Sequence, residues 1–321
     1  MSMLSVTFSA HLSSIAQGPV GPPSLTDGSA RFDSVRVLIG FPGFAPNVRG
    51  SLTISPTTIT FADDVRSVSV NRKLVTRISD GDETIETGGL GGKLLRAAIP
   101  YGGGYVLGTI TQQKVNLLTL EFLDPRGEYH GAVLVLHKED MVSAMSTLDS
   151  SPATYDTPAK APSPPCRATN TKLNTVRLNL IQSDPDSTLP SEDRVLLYEE
   201  LIAKLTKDNT ISDVYRAGDT DPGAQCAEFR LSVSVQEFKK GNQAVRASIG
   251  PLGYFIGNTR LTFHVTATDR DGATLLDRDL KKSEGSDTNS LNVTKLVTRA
   301  VVKSLRKSRA DLRKSQAIQA S

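Results

Sequence analysis

The sequence has no tryptophan, 5% aromatic residues, four histidines and two cysteines. Two cysteines cannot staple a disulfide-rich miniprotein or fill a four-thiolate zinc site. The histidines, His11, His130, His137 and His264, show no His-x3-His spacing and the cysteines no Cys-x2-Cys, so the local signatures of a metal centre are missing. Charge of one sign is lacking as well. Against 34 acidic residues there are 37 basic ones, a net +3 that is too small to lay a nucleic-acid footprint over the whole surface. No apolar run approaches the ~20 residues of a membrane-spanning helix. No Lys or Arg precedes Arg31, so Met1 to Ala16 lacks the basic start of an export signal, yet Ser14-Ile15-Ala16 before Gln17 has the small-x-small form of a cleavage site. Residues 1–30 read either as a degraded or truncated export signal or as a disordered tail rich in Ser, Gly and Pro.

What is present is an ordinary folded composition: 321 residues, 38% hydrophobic and 22% charged, enough for two domains. Structure begins near Arg31-Phe32. RGSLTISPTTITF (49–61) alternates apolar and polar on both sides of Ser55-Pro56, the period-2 pattern of a hairpin. Strand signal follows at Ser67–Val70 and Lys73–Ile78, and the polar run Ser79-Asp80-Gly81-Asp82 reads as the turn that ends it. Gly88 to Gly92 and Gly102 to Gly104 mark loops. VNLLTLEF (115–122) and YHGAVLVL (129–136) flank Asp124-Pro125-Arg126-Gly127, the strongest hairpin signal in the chain. Beyond His137, Met141, Ala144, Met145 and Leu148 recur at helical spacing. A β domain over 31–149 closed by one helix is expected.

Five prolines among Ser, Thr and Ala between Ser150 and Pro165 read as a linker over 150–168. Past it, TVRLNLI (175–181) alternates as a strand. Ser191 with Glu192 and Asp193 opens a helix whose stripe is Tyr198, Leu201, Ile202 and Leu205, with Ser191 as the expected N-cap. Glu228 to Phe238, Arg260 to Thr268 and Thr274 to Leu280 alternate as strands, the last two joined at Asp269-Arg270-Asp271-Gly272. A final helix from about Ser290 buries Val293, Leu296, Val297, Ala300, Val301 and Leu305. The expectation is an α+β domain, β-α-β-β-β-α, over 169–308, and a basic tail over 309–321. Cys166 and Cys226 each precede a strand. In an oxidising compartment they can pair; otherwise they are two unrelated thiols.

On these residues, GSLTISPTTITF and VNLLTLEFLDPRGEYHGAVLVL with the helix after them, the first half resembles pleckstrin-homology-like and GRAM-type domains. LSVSVQEFKKGNQAVRASIG followed by GNTRLTFHVTATDRDGATLLDRDL resembles an uncharacterised bacterial family, domain of unknown function four-four-one-zero. The matching features are the Gly-Asn, Arg246 and Gly250 run before a long hairpin. That family's members resemble envelope lipoproteins with a curli-assembly-like or Tol-type α+β domain, which implies an envelope location. This sequence has no lipidated cysteine, and neither resemblance brings a catalytic set.

Chemistry is sparse. TGGLGGKLL (87–95) places Thr87 and Leu94 where a phosphate loop needs Gly and a hydroxyl residue, and YGGGYVLG (101–108) places Leu107 where a dinucleotide fingerprint needs its third Gly. The glycine of Asp269-x-Asp271-Gly272 comes two residues too early for a calcium loop. Catalytic residues, cofactor and metal are therefore each read as none. Basic clusters remain. Arg66, Arg72, Lys73 and Arg77 fall where a pleckstrin-like domain contacts anionic head groups, or else are edge-strand charges that discourage pairing. Lys295, Arg299 and Lys303 recur at i+4 on the final helix and continue into Arg306 and Lys307, a run suited to an anionic lipid surface or to a solvated helix end. Leu252, Tyr254, Phe255 and Ile256, with Arg246 nearby, form an apolar run between glycines that is either a protein-contact surface or a packed turn. The resulting expectation is a non-enzymatic binding or assembly protein of the bacterial envelope, its partner an envelope protein or a second copy of itself. The alternatives are a peripheral binder of anionic membrane, with no nucleic-acid partner, or an enzyme whose site assembles only in three dimensions.

Overall fold

Alternation from Ala30 onward builds the first sheet, because each apolar residue on one face must meet another layer. The strands are β1 (Ala30–Ile39), β2 (Val48–Ile54), β3 (Thr58–Ala62), β4 (Ser67–Asn71), β5 (Val75–Glu86), β6 (Gln112–Leu123) and β7 (Tyr129–Leu136), followed by helix α1 (Lys138–Asp149). Their order is β4-β3-β2-β1-β7-β6-β5, with every pairing antiparallel. The computed structural model describes residues 28–86, 112–149, 166, 172–241, 259–284 and 292–319. Both expected hairpins are present. Ser55 closes the first, its N–H donating to the Thr58 carbonyl at 2.9 Å. Gly127 closes the second with φ +83, a backbone that its missing Cβ permits. Met141, Ala144 and Leu148 of α1 are buried against a core that includes Phe41, Phe44 and Phe61, whose rings lie 4.8–6.1 Å apart.

The second sheet contains β8 (Lys172–Leu178), β9 (Gln182–Ser183), β10 (Asp213–Tyr215), β11 (Ala227–Lys239), β12 (Thr259–Asp269) and β13 (Thr274–Glu284). Its order is β10-β8-β11-β12-β13, with β9 also paired to β11; β8 runs parallel to β10 and β11, and β11 to β13 form an antiparallel meander. Its helices are α2 (Ser191–Thr206), the single turn α3 (Pro222–Gln225) and α4 (Asn292–Gln319). The chain is thus β-rich, with two sheets and a C-terminal helix. Among the described residues no helix is long and apolar enough to cross a membrane.

Four features differ from the sequence expectation. Ser79 to Asp82 is not a turn: β5 continues through it, Asp80 opposite Leu118 and Asp82 opposite Asn116, because the long partner β6 holds an edge strand extended despite its polar residues. Strands β9 and β10 and the turn α3 are additional, too short to register as periodic runs. Pro190, not Ser191, stands at the N-cap of α2, and no side chain caps that end. The basic tail expected over 309–321 is instead the continuation of α4 to Gln319. Its Arg309 is buried, donating to the Thr210 carbonyl at 2.9 Å and the Asn174 amide oxygen at 3.1 Å. Residues 1–27 of the expected N-terminal tail, the glycine loops after residue 86, the expected linker 150–168 apart from Cys166, and the 242–258 segment lie outside the described residues.

Helix α2 joins the two halves. Tyr198, Leu201, Ile202 and Leu205 pack on the second sheet as their spacing predicts. Val195 and Leu196 face the other way, onto Val115 and Leu117 of β6 and Val133 of β7. Strand β6 is therefore buried on both faces: Leu118, Leu120 and Phe122 enter the first core, and Val115 and Leu117 meet α2. Each of these buried aliphatic side chains contributes roughly 1.5–3 kcal/mol. Gly131 permits the close approach, since a Cβ there would lie 2.6 Å from the Val195 side chain.

Candidate binding cleft at the junction

Where β1 ends, the turn of residues 40–47 carries the chain back into β2, and Asn47 takes a left-handed φ of +67 that asparagine tolerates. This turn, the outer face of α2 and the first turns of α4 enclose a cleft of about 390 Å³. Its apolar lining is Leu38, Ile39, Pro46, Leu196 and Ala203, and its cations are Lys204 of α2, Lys207 at the C-cap of that helix, and Lys295 and Arg299 from α4. Among the described residues none of these four cations is in an ion pair; Lys295 Nζ donates only to the Asn292 side chain, at 3.3 Å. Glu200 and Thr298 line the same cleft. Burial pushes the Glu200 carboxyl up to about 7, against the opposing pull of the Thr294 hydroxyl, Lys295, Arg299 and the Thr298 hydroxyl.

The raised Glu200 value sets a stability prediction. The folded state favours the protonated acid, so the penalty for ionising it is absent below about pH 4.5, grows as pH rises through 7, and is complete above. Glu200→Gln should therefore stabilise the protein by about 2 kcal/mol at pH 8 and hardly change it at pH 4. Urea unfolding at the two pH values checks this; an equal shift at both would rule out the burial account.

A second cleft, about 410 Å³, lies between the sheets and is lined by Arg77, Glu121, Arg194, Tyr129 and Tyr198 among others. Its polar groups satisfy one another. Tyr129 donates to Glu121 at 2.8 Å, Arg194 donates to the same carboxylate, and the Ala217 N–H donates to the Tyr198 hydroxyl at 2.8 Å. Nearby, at the β6–β7 turn, Asp124, Glu128 and His130 bring their ligand-type atoms within 4.8 Å of one another. Arg126 occupies that cluster, donating to Glu128 at 2.9 Å and to Asp124 at 3.4 Å. Burial, then Arg216, hold His130 down to about 4, while burial and the adjacent Asp219 carboxyl push Glu128 up to about 7.

The residues singled out in the sequence separate into distinct roles. Lys295 and Arg299 line the first cleft, and Lys303 and Lys307 follow them along α4, exposed. Arg306 is paired with the buried Asp208 and so fastens α4 to the end of α2. Arg72 is not a surface group. It is buried, donating to the Ser55 carbonyl at 3.1 Å and the Leu148 carbonyl at 2.6 Å, which ties the β2–β3 turn to the end of α1. Arg66 lies over the Phe44 ring at 4.5 Å, Lys73 is exposed, and Arg77 lies 3.9 Å from Glu121. These four do not converge on one site. Arg246, Leu252, Tyr254, Phe255 and Ile256 lie outside the described residues. Cys166 and Cys226 are joined as a disulfide, with Cα atoms 5.1 Å apart. Sequence reasoning missed Lys204, Lys207 and Glu200. Glu200 and Lys204 are four residues apart on α2 and Lys207 is its C-cap, but only the packing of α4 against that helix turns them into a site.

No family model matches the chain, and no curated protein matches it. Among solved structures, two crystal forms of the PelC dodecamer from Paraburkholderia phytofirmans, one of them a point variant, align at 17% identity over 45% of this chain. They cover 95% and 91% of the PelC chains, each with a TM-score of 0.29, at which the likeness carries no argument about function.

Proposed function

We propose that this chain is a non-enzymatic binding protein of the bacterial envelope that engages an anionic lipid surface through the basic rim formed by α2 and α4. The observation that carries this reading is the convergence of Lys204, Lys207, Lys295 and Arg299 around one cleft with no salt bridge to any of them among the described residues, Glu200 in the lining being the carboxyl that Lys295 and Arg299 act on. Lys303 and Lys307 extend the same charge along α4. Near an anionic surface each such residue contributes about 1 kcal/mol. The disulfide supports a location in an oxidising compartment. The antiparallel first sheet closed by a helix supports the pleckstrin-like reading of that half, and two helices on the second sheet support the envelope-type α+β reading of the other.

Co-sedimentation with vesicles tests the proposal. The protein should pellet with phosphatidylcholine vesicles containing phosphatidylglycerol and not with phosphatidylcholine alone, and should be released as salt screens the contact. Reversing Lys295, Arg299 and Lys303 to Glu should weaken binding by at least about 100-fold, from three contacts of ~1 kcal/mol each with added repulsion. Binding indifferent to lipid charge, or unchanged in the triple variant, would overturn the reading.

A further inference from the structure

We infer that the cleft at the junction takes one single-chain amphiphile with a phosphomonoester head, its chain on the apolar floor and its phosphate among the rim cations. This rests on the reading of the rim as an anion-binding surface and goes beyond it: a flat anionic surface needs only exposed lysines and arginines, whereas this rim surrounds a concavity. The floor, Leu38, Ile39, Leu196 and Ala203, is contributed by both halves of the molecule. At about 390 Å³ the space lies in the range of small-molecule pockets and has room for one short chain rather than for the two chains of a membrane lipid.

Two buried oxygens in the lining support an occupant. Thr298 is 4% exposed, and its Oγ1 and the Oε2 of Glu200 are buried without a well-formed hydrogen bond, held only by the looser pull of the Thr294 and Thr298 hydroxyls on the Glu200 carboxyl. A buried polar atom bonded this poorly costs free energy, so a group that bonds to it from the cleft is favoured there. Both residues line the cleft together with its apolar side chains and its cations. There a phosphate oxygen accepts from the Thr298 hydroxyl and from protonated Glu200. The phosphate's negative charge is met by Lys204 and Lys207 on one side and by Lys295 and Arg299 on the other. A head of two negative charges matches four convergent cations better than a single carboxylate does.

The test is calorimetric titration of the full chain with dodecyl phosphate below its micelle concentration, beside inorganic phosphate and dodecylphosphocholine, which keeps the chain but has no net charge. One equivalent of dodecyl phosphate should bind, at least ~10-fold more tightly than either control, because only it uses both floor and rim. Ala203→Trp, which fills the floor from an exposed position on α2, should weaken dodecyl phosphate by at least ~10-fold, and the smaller Ala203→Leu should fall between it and the wild type if the bulkier variant does not fold. Equal affinity for inorganic phosphate would reduce the site to its head group and overturn the proposal. So would equal affinity for dodecylphosphocholine, or Ala203 variants that bind like wild type. Anionic vesicles bound without dodecyl phosphate binding would sink the cleft and leave the surface reading standing; dodecyl phosphate bound without vesicle binding would do the reverse.

Discussion

Replacing Glu199 with Ala should cost about 3–5 kcal/mol of folding stability, because it strands a buried guanidinium. Glu199 lies on α2 at 5% exposure and accepts from both terminal nitrogens of Arg216, at 2.8 and 2.7 Å. It also accepts from the backbone N–H of Gly131 in β7, at 3.1 Å. Arg216 in turn donates to the Tyr129 carbonyl at 3.0 Å. One carboxylate thus holds α2, the segment after β10 and a strand of the other sheet. Burial alone lowers the pKa of Arg216, yet Glu199 more than reverses this and holds it above its ordinary value, so removing the carboxylate exposes the full desolvation cost. The double replacement Glu199→Met with Arg216→Met should recover most of the loss, since well-packed apolar pairs replace buried ion pairs at little cost. Urea unfolding followed by near-UV and far-UV signals checks this. Glu199→Ala should also separate transitions that coincide in the wild type, because the pair spans both halves. A loss below about 1 kcal/mol, or a double variant no more stable than the single, would show that the pair does not join the halves.

The local elements were legible and their assembly was not. Alternation around Ser55-Pro56 and the turn chemistry of Asp124 to Gly127 mark hairpins, because both signals depend on near neighbours in the chain. The stripe of α2 showed its contact with the second sheet. Its opposite face did not read as buried, because Val195 and Leu196 are flanked by Glu192, Arg194, Glu199 and Glu200, residues that suggest a solvated side. In the structure two of these charges are locked in pairs: Arg194 with Glu121, Glu199 with Arg216. The apolar excess of NLLTLEF was the available sign that β6 is covered twice, since a half-buried strand would not place Leu117 beside Leu118. For the cleft, Lys295 and Arg299 were visible as a helical run, while Lys204, Lys207 and the apolar floor come from segments up to about 260 residues away in sequence. Arg72 was misread because nothing local distinguishes a buried arginine that bonds carbonyls from its exposed neighbour Lys73.

Reducing the Cys166–Cys226 bridge, or replacing Cys226 with Ser, should lower stability by about 4 kcal/mol on the chain-entropy account for a loop of this length. The two cysteines are 60 residues apart, and the loop they close contains β8, β9, α2, β10 and α3. It therefore contains the helix on which both sheets depend. Cys226 is buried, and its carbonyl accepts the Lys172 N–H at 3.2 Å, just where β8 and β11 begin their parallel pairing. The bond thus fastens two strands at one end while the pairing between them is non-local and depends on loop closure. Unfolding in urea with and without a phosphine reductant should show the midpoint fall, with spectroscopic signals from both sheets shifting together. A change of less than about 1 kcal/mol would mean that the pairing holds without the bridge. At the predicted size the loss is a large share of the ~5–15 kcal/mol that a folded protein has in reserve. A chain that depends on the bond to that extent would be only marginally folded where thiols are kept reduced, so the same titration that measures the bond also tests the proposed envelope location.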